Sequence, residues 1–324
     1  MRLISALAVL GNGIYHLTGN QRMQERPIQD LIDGLKQIGV SAKTLKSNGC
    51  PPLTVAGGKS TGGQIELNCG KSSQFLSAIL LIAPYTVNGI DIFVTHGPVS
   101  RPYIDMTVEV MEKFGVEVKR DGYQRFEVNG NQNYLAGDFD VEPDASQASY
   151  FWAAAAITGA EIKVRGLTRH SKQGDMGFVE LLERMGCHVS HETNGIRVKG
   201  GTLSAIDVDM SNMPDVVPTL AVVSAFSNGT THIRNVGHLK EKESDRLGAV
   251  VSELSKMGIE ARCTDADLIV KGGRPKGAII DTYDDHRIAM SFSIAGLRIP
   301  GVAILDEKCV EKSFPKFWDV LESL

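Results

Sequence analysis

Four amphipathic helical stretches in this chain each end on a glycine and run into two short alternating strands. The segments are "LKQIGVSAKTLKSNGCPPLTVAGG", "MEKFGVEVKRDGYQRFEVNG", "LERMGCHVSHETNGIRVKGG" and "LSKMGIEARCTDADLIVKGG". Their helix-stop glycines are Gly39, Gly115, Gly186 and Gly258. Only glycine takes the left-handed backbone at a helix end cheaply. The stops lie roughly 70 residues apart, a period that fits one supersecondary unit used repeatedly. Two alternating strands after each stop predict a hairpin.

Aligning the units on those glycines predicts a strand, a helix and a further strand before each hairpin helix. The first strands are "QIELNCG", "DFDVEPD", "AIDVDMS" and "AIIDTYD". The helices that follow are "SSQFLSAILLIAP", "SQASYFWAAAAIT", "MPDVVPTLAVVSAFS" and "DHRIAMSFSIAGL". They are apolar nearly all round, which predicts burial. Each unit therefore reads βαβαββ, with one helix inside and one outside. The first residues, "MRLISALAVL", read as a buried inner helix without its preceding strand. The last, "FPKFWDVLESL", read as an outer helix without its closing hairpin.

Polar residues of the inner helices cluster at their N-terminal ends, where unpaired backbone N–H groups attract anions. Basic residues recur at a second fixed place, between the third element and the outer helix. The segments are "RMQERP" (22–27), "SRPY" (100–103), "RHSKQGD" (169–175), "KEKESDR" (240–246) and "EKCVEKSFP" (307–315). One such loop is ordinary surface charge. Five aligned loops predict a shared anion site.

Composition narrows the class. The 324 residues suit about two domains, here 1–140 and 141–324. The formal net charge of −4 argues against a general nucleic-acid binder. No apolar run is long enough to span a bilayer, and the N-terminal stretch lacks a clean signal-peptide pattern. The five cysteines include no CxxC, which argues against a zinc site or disulfide framework and for a reducing cytoplasm.

The motifs "SSQFLSAIL", "SRPYIDMT", "LKEKESDRL", "YDDHRIAMSFS" and "EKSFP", in that order, resemble the 5-enolpyruvylshikimate-3-phosphate synthase family, and "LTGNQRMQERPIQDL" fits with them. The resemblance covers the whole chain. It implies an α/β fold of repeated βαβαββ units in a two-domain inside-out α/β barrel, the enolpyruvyl transferase fold. In the family, helix N-termini face an interdomain cleft. Met1-Arg2 resembles the end of the family's "GNAGTxxR" loop, so about a hundred further residues are expected before it, consistent with the roughly 70-residue period. In the family those residues hold a Lys-Ser pair, an arginine and a phosphate-cradling glycine loop, and N-terminal strands complete the second domain.

The implied reaction moves the enolpyruvyl group of phosphoenolpyruvate to the 5-hydroxyl of shikimate 3-phosphate and releases phosphate. The resemblance implies that no cofactor or metal is needed, because arginines and lysines neutralise the charge. By similarity, Arg26, Gln74, Arg246, His286, Arg287 and Lys312 bind phosphoenolpyruvate. Ser72, Ser73, Gln74, Ser100, Tyr103, Asp215, His238 and Lys242 correspond to the shikimate 3-phosphate site. His238 stands where the family commonly has asparagine. Arg2 matches a family arginine. Asp215 reads either as a helix cap, worth about 1 kcal/mol, or, by resemblance, as the base for the 5-hydroxyl. Glu243 reads as a helix-surface ion pair or, by resemblance, as the acid at C3, with Lys312 the third catalytic residue. Asp284 and Asp285 read as caps of the following helix. The partners expected are these two small molecules, with the chain a monomer. Two alternatives stand beside this reading: a UDP-N-acetylglucosamine enolpyruvyl transferase, or a non-catalytic anion-binding fragment.

Overall fold

The computed structural model describes residues 1–58 and 60–324. The chain divides into two compact units, Met1–Asp140 and Val141–Leu324. In the first, α1 (Arg2–Leu7), β1 (Gly13–Leu17), α2 (Gln29–Gln37), β2 (Ala42–Thr44) and β3 (Leu53–Gly57) make a partial repeat. A complete one follows: β4 (Gly63–Asn68), α3 (Gln74–Ile82), β5 (Ile90–His96), α4 (Pro102–Lys113), β6 (Lys119–Asp121) and β7 (Arg125–Val128). The second unit opens with α5 (Ala145–Thr158), β8 (Glu161–Arg165), α6 (Phe178–Arg184), β9 (His188–Glu192) and β10 (Gly195–Lys199). A complete repeat comes next: β11 (Asp207–Asp209), α7 (Val217–Ala225), β12 (Thr230–Arg234), α8 (Arg246–Lys256), β13 (Ala261–Cys263) and β14 (Leu268–Lys271). The chain ends with β15 (Ile279–Ile280), α9 (His286–Ser293), β16 (Ala303–Ile304) and α10 (Phe317–Glu322).

The two complete repeats share one sheet topology. Their orders are β4-β5-β7-β6 and β11-β12-β14-β13, with the first pair of strands parallel and the others antiparallel. A parallel pair needs a crossover connection, and α3 and α7 supply it. The helix-stop glycines behave as their spacing predicts: Gly39, Gly115, Gly186 and Gly258 have φ of 81°, 82°, 111° and 77°.

Two expectations fail. "DFDVEPD" forms no strand, so that repeat has a three-stranded sheet, β8-β10-β9. Its alternating acids leave little to bury, and Val141 is 84% exposed; Pro143 also lacks the N–H a ladder needs. The first helix is not buried as a whole. α1 packs on α3 and hides Ser5 and Ala6, but Leu3, Ile4 and Leu7 are exposed.

By contrast, α5 and α7 are enclosed nearly all round, in keeping with their apolar composition. A hydroxyl recurs at one position of every inner helix, at Ser5, Ser77, Ser149, Thr219 and Ser291, and all five are buried. In the second unit they touch across helices. Ser149 Oγ lies 3.4 Å from Thr219 Oγ1, which lies 3.1 Å from Ser291 Oγ. Removing the central member takes one hydrogen-bond partner from each neighbour, although Ser149 Oγ still donates to the Ser146 carbonyl at 2.6 Å, and costs about 0.5–1.5 kcal/mol. Thr219→Val is therefore expected to lower the unfolding free energy in urea by that amount. The triple variant Ser149→Ala, Thr219→Val, Ser291→Ala should lose less than the three single losses summed, because it leaves no member of the chain unpaired.

Candidate active site

In the second unit the starts of α8 and α9 and the turn before α7 converge on one guanidinium. Arg246, the first residue of α8, is 1% exposed. Its Nε donates to Asp285 Oδ2 at 2.9 Å, Nη1 to Asp215 Oδ1 at 2.9 Å, and Nη2 to Glu243 Oε2 at 2.8 Å. Burial works against the Arg246 charge, but Asp285 and then Asp215 outweigh it and raise its proton affinity. Arginine suits this position because its planar fork holds several acceptors at once.

Asp285 does two jobs. Oδ1 caps α9 by accepting from the Arg287 N–H at 3.0 Å, and Oδ2 also accepts from Ser244 Oγ at 3.0 Å. Burial would raise its carboxyl, but Arg246 dominates and holds it at about 2. Asp284, expected as a second cap, is exposed and takes φ of 52°. Its carbonyl accepts from Lys312 Nζ at 3.5 Å, which brings Lys312 to the start of α9.

Asp215 is not a helix cap. It lies in the turn Pro214–Val216, where the Pro214 ring pre-sets a tight bend before α7. Arg246 Nη1 and Arg287 Nη2 hold its two oxygens, the latter at 2.8 Å, and Lys242 Nζ stands 4.0 Å away. Burial, opposed by Asp215, pulls the Lys242 ammonium below its ordinary value. Glu243, expected as either an exposed ion pair or a catalytic acid, is bonded to the buried Arg246. His238 and His286 are both pushed down to about 4, mainly by burial and then by Lys242 and Arg287 respectively. Both are therefore neutral imidazoles at pH 7. His238 Nε2 and His286 Nδ1 are buried and make no hydrogen bond among the described residues.

The first unit holds a second group. Arg2 Nη1 donates to Ser72 Oγ at 3.0 Å and Gln74 Oε1 at 3.1 Å, while its Nη2 donates to the Pro27 carbonyl at 2.9 Å. Ser72 Oγ in turn accepts from the Gln74 N–H at 3.2 Å, at the start of α3, and Ser73 is buried beside it. Arg2, Arg26 and Gln74 line a cavity of about 50 Å³. Ser100 is buried at φ of 53° just ahead of α4, which packs on α3 and carries half-buried Tyr103.

Not every basic loop residue joins these groups. Arg22 pairs with Glu25, Lys240 with the exposed Asp265, and Arg101 lies over the Tyr123 ring. Arg169 is exposed. Sequence reasoning also missed Asp175, a buried carboxyl at the end of "RHSKQGD" whose basic residues alone had drawn notice. It saw Asp285 only as a cap, because nothing local shows that its second oxygen reaches α8.

A buried guanidinium braced by carboxylates, with further cations at inner-helix starts of a βαβαββ scaffold, defines an α/β enzyme-type site for anionic groups. The sequence family described as EPSP synthase (3-phosphoshikimate 1-carboxyvinyltransferase) matches residues 1–321, and the chain belongs to it. A 3-phosphoshikimate 1-carboxyvinyltransferase of Shewanella sediminis is 43% identical over 326 residues, covering 100% of this chain and 76% of the relative. One of Syntrophobacter fumaroxidans is 43% identical over 327 residues, covering 100% and 77%. The solved EPSP synthase of Acinetobacter baumannii superposes with a TM-score of 0.81 at 28% identity, covering 100% of this chain and 76% of that one. The enolpyruvyl transferase NikO of Streptomyces tendae shares the fold, with a TM-score of 0.76 at 19% identity over 99% of this chain and 74% of that one.

The carboxyl of Asp285 makes the acid limb of stability specific. Its value falls from 3.8 to about 2 on folding. Its contribution is thus present above the unfolded value and disappears as pH falls through the folded one. Asp285→Asn is expected to destabilise the chain at pH 7, towards the 3–5 kcal/mol typical of breaking a buried pair. Urea unfolding from pH 6 to 2 should show the wild type losing this advantage below about pH 4.

Proposed function

We propose that this chain catalyses the transfer of the enolpyruvyl group of phosphoenolpyruvate to the 5-hydroxyl of shikimate 3-phosphate, with release of phosphate. The observation that carries this reading is Asp215, one carboxylate gripped by Arg246 and Arg287 at the start of an inner helix. The family membership supports it. In this reading phosphoenolpyruvate is bound by Arg26 and Gln74 from the first unit and by Arg246, neutral His286, Arg287 and Lys312 from the second. Ser72, Ser73, Gln74, Ser100, Tyr103, His238 and Lys242 hold shikimate 3-phosphate. Asp215 receives the 5-hydroxyl proton, and Glu243 delivers a proton to C3 of the enol. The hydroxyl oxygen bonds to C2; phosphate then departs with the C2–O bond electrons while C3 returns a proton to the Glu243 carboxylate, which restores the C2–C3 double bond. The substrates act without a resident cofactor, and the chain works as a cytoplasmic monomer.

The chain spans 76–77% of the length of its curated relatives. We place the family's Lys-Ser pair and glycine loop in the remaining quarter, a part that completes the phosphate cradle. Phosphate release from phosphoenolpyruvate, measured with and without shikimate 3-phosphate, tests the proposal. Release that depends on both substrates is expected, rising at least 10²-fold when a polypeptide equivalent to that quarter is supplied, as befits added electrostatic groups. Absence of release in both preparations refutes the assignment.

In the preparation supplied with that polypeptide, Asp215→Ala and Lys312→Ala are each expected to lower kcat by about 10²–10³. Unfolding curves should show both variants folded. Near-normal turnover in either removes that residue from the mechanism.

A further inference from the structure

Asp175 lies in the turn Gly174–Gly177, which packs against the turn Pro214–Val216 that bears Asp215. It is 5% exposed. Oδ2 accepts from Ser146 Oγ at 2.5 Å, whereas Oδ1 is buried with no hydrogen-bond partner among the described residues. An ionised carboxylate with one idle oxygen is costly in such a place. Nearby structural polar groups are already engaged: Gln173 serves the Ala145 N–H and the Pro143 carbonyl, and Asp144 caps α5.

The charges that reach Asp175 come from three elements. Asp215 before α7 and Asp144 at the start of α5 repel its ionised form, and Arg287 on α9 attracts it. On α6, which continues from its own turn, Glu180, Glu183 and Arg184 are exposed. Burial, followed by Asp215, lifts the Asp175 carboxyl to about 7. Two acids that repel across packed turns titrate as a pair and hold one proton between them.

We propose that Asp175 is a positioning residue for the transfer, a second carboxyl whose charge sets the proton affinity of Asp215. This rests on the reading of Asp215 as the base. Asp215 alone, gripped by two arginines, is a poor proton acceptor, because both cations favour its ionised form. A like charge across the turn pair works the other way and restores basicity. As Asp215 takes the hydroxyl proton, the repulsion on Asp175 falls, and Asp175 gives its own proton up more readily.

The test is a carboxyl titration of the full 324-residue chain with ¹³C-labelled aspartate, followed by NMR. It needs no turnover, so its result stands apart from the fate of the transferase reading. Wild type is expected to show a buried aspartate titrating near neutral pH. In Asp175→Asn that resonance disappears, and in Asp215→Asn, which removes the repelling charge, the Asp175 titration shifts to lower pH. An Asp175 titration that is the same in wild type and Asp215→Asn overturns the proposal. Ser146→Ala, which removes the bond favouring ionised Asp175, provides a third variant. It should move Asp175 to higher pH and perturb Asp215 with it, and independent movement of the two would also overturn the coupling. Unfolding in urea gives a further readout. The folded chain keeps a proton that the unfolded chain releases above about 3.8, so wild-type stability should fall from pH 4 to 7 more steeply than that of Asp175→Asn.

Discussion

The second unit is organised around a cation that is 1% exposed. Arg246 is held by Asp285, Asp215 and Glu243, which come from the start of α9, the turn before α7, and the loop before its own helix. Removing one partner of a buried pair costs about 3–5 kcal/mol, whereas a matched apolar replacement of the whole group is often harmless. Stability alone therefore does not account for the arrangement. It fixes where three helix starts stand relative to one another, and that places Arg287 and Lys242 around the same Asp215 carboxylate.

Much of the fold was legible because it is written in spacing. Gly39, Gly115, Gly186 and Gly258 are single residues with a single backbone requirement, and each takes the left-handed conformation that requirement demands. The all-apolar composition of α5 and α7 translates directly into burial. Alternation over residues 138–144 predicts a strand, but alternation alone does not say what the apolar members would pack against. The apolar composition of α1 predicts burial, yet burial depends on neighbours as well as on composition. The hydroxyl chain Ser149–Thr219–Ser291 escaped notice, since a small polar residue in an apolar run looks like noise until the helices are stacked.

The site was legible as a set of residues, but the bonds among them were not. Motifs draw attention to Asp215, Glu243, Arg246 and Arg287, yet Asp215 and Glu243 also have unexceptional local readings, as cap and as surface pair. What distinguishes them is contact over long separations: Asp215 and Arg287 lie 72 positions apart. Asp175 shows the limit most clearly. Its loop was noticed for its lysine and arginine, which the structure leaves at the surface, while the acid that ends the loop is the residue buried beside Asp215.

This pairing also bears on how such a site can stay idle until it is filled. The cations that suit an incoming phosphate or carboxylate already have an acceptor, Asp215, at 2.8–2.9 Å. An arriving anion competes with that carboxylate for the same donors, so part of its attraction is spent on exchange rather than on new pairing. The exchange has a chemical consequence in the proposed reaction. A carboxylate that loses two guanidinium partners becomes a stronger base, most of all with a second acid behind it. Anion binding and base activation are then the same event, and a proton acceptor that would be inert in the empty site becomes competent when its substrate is in place.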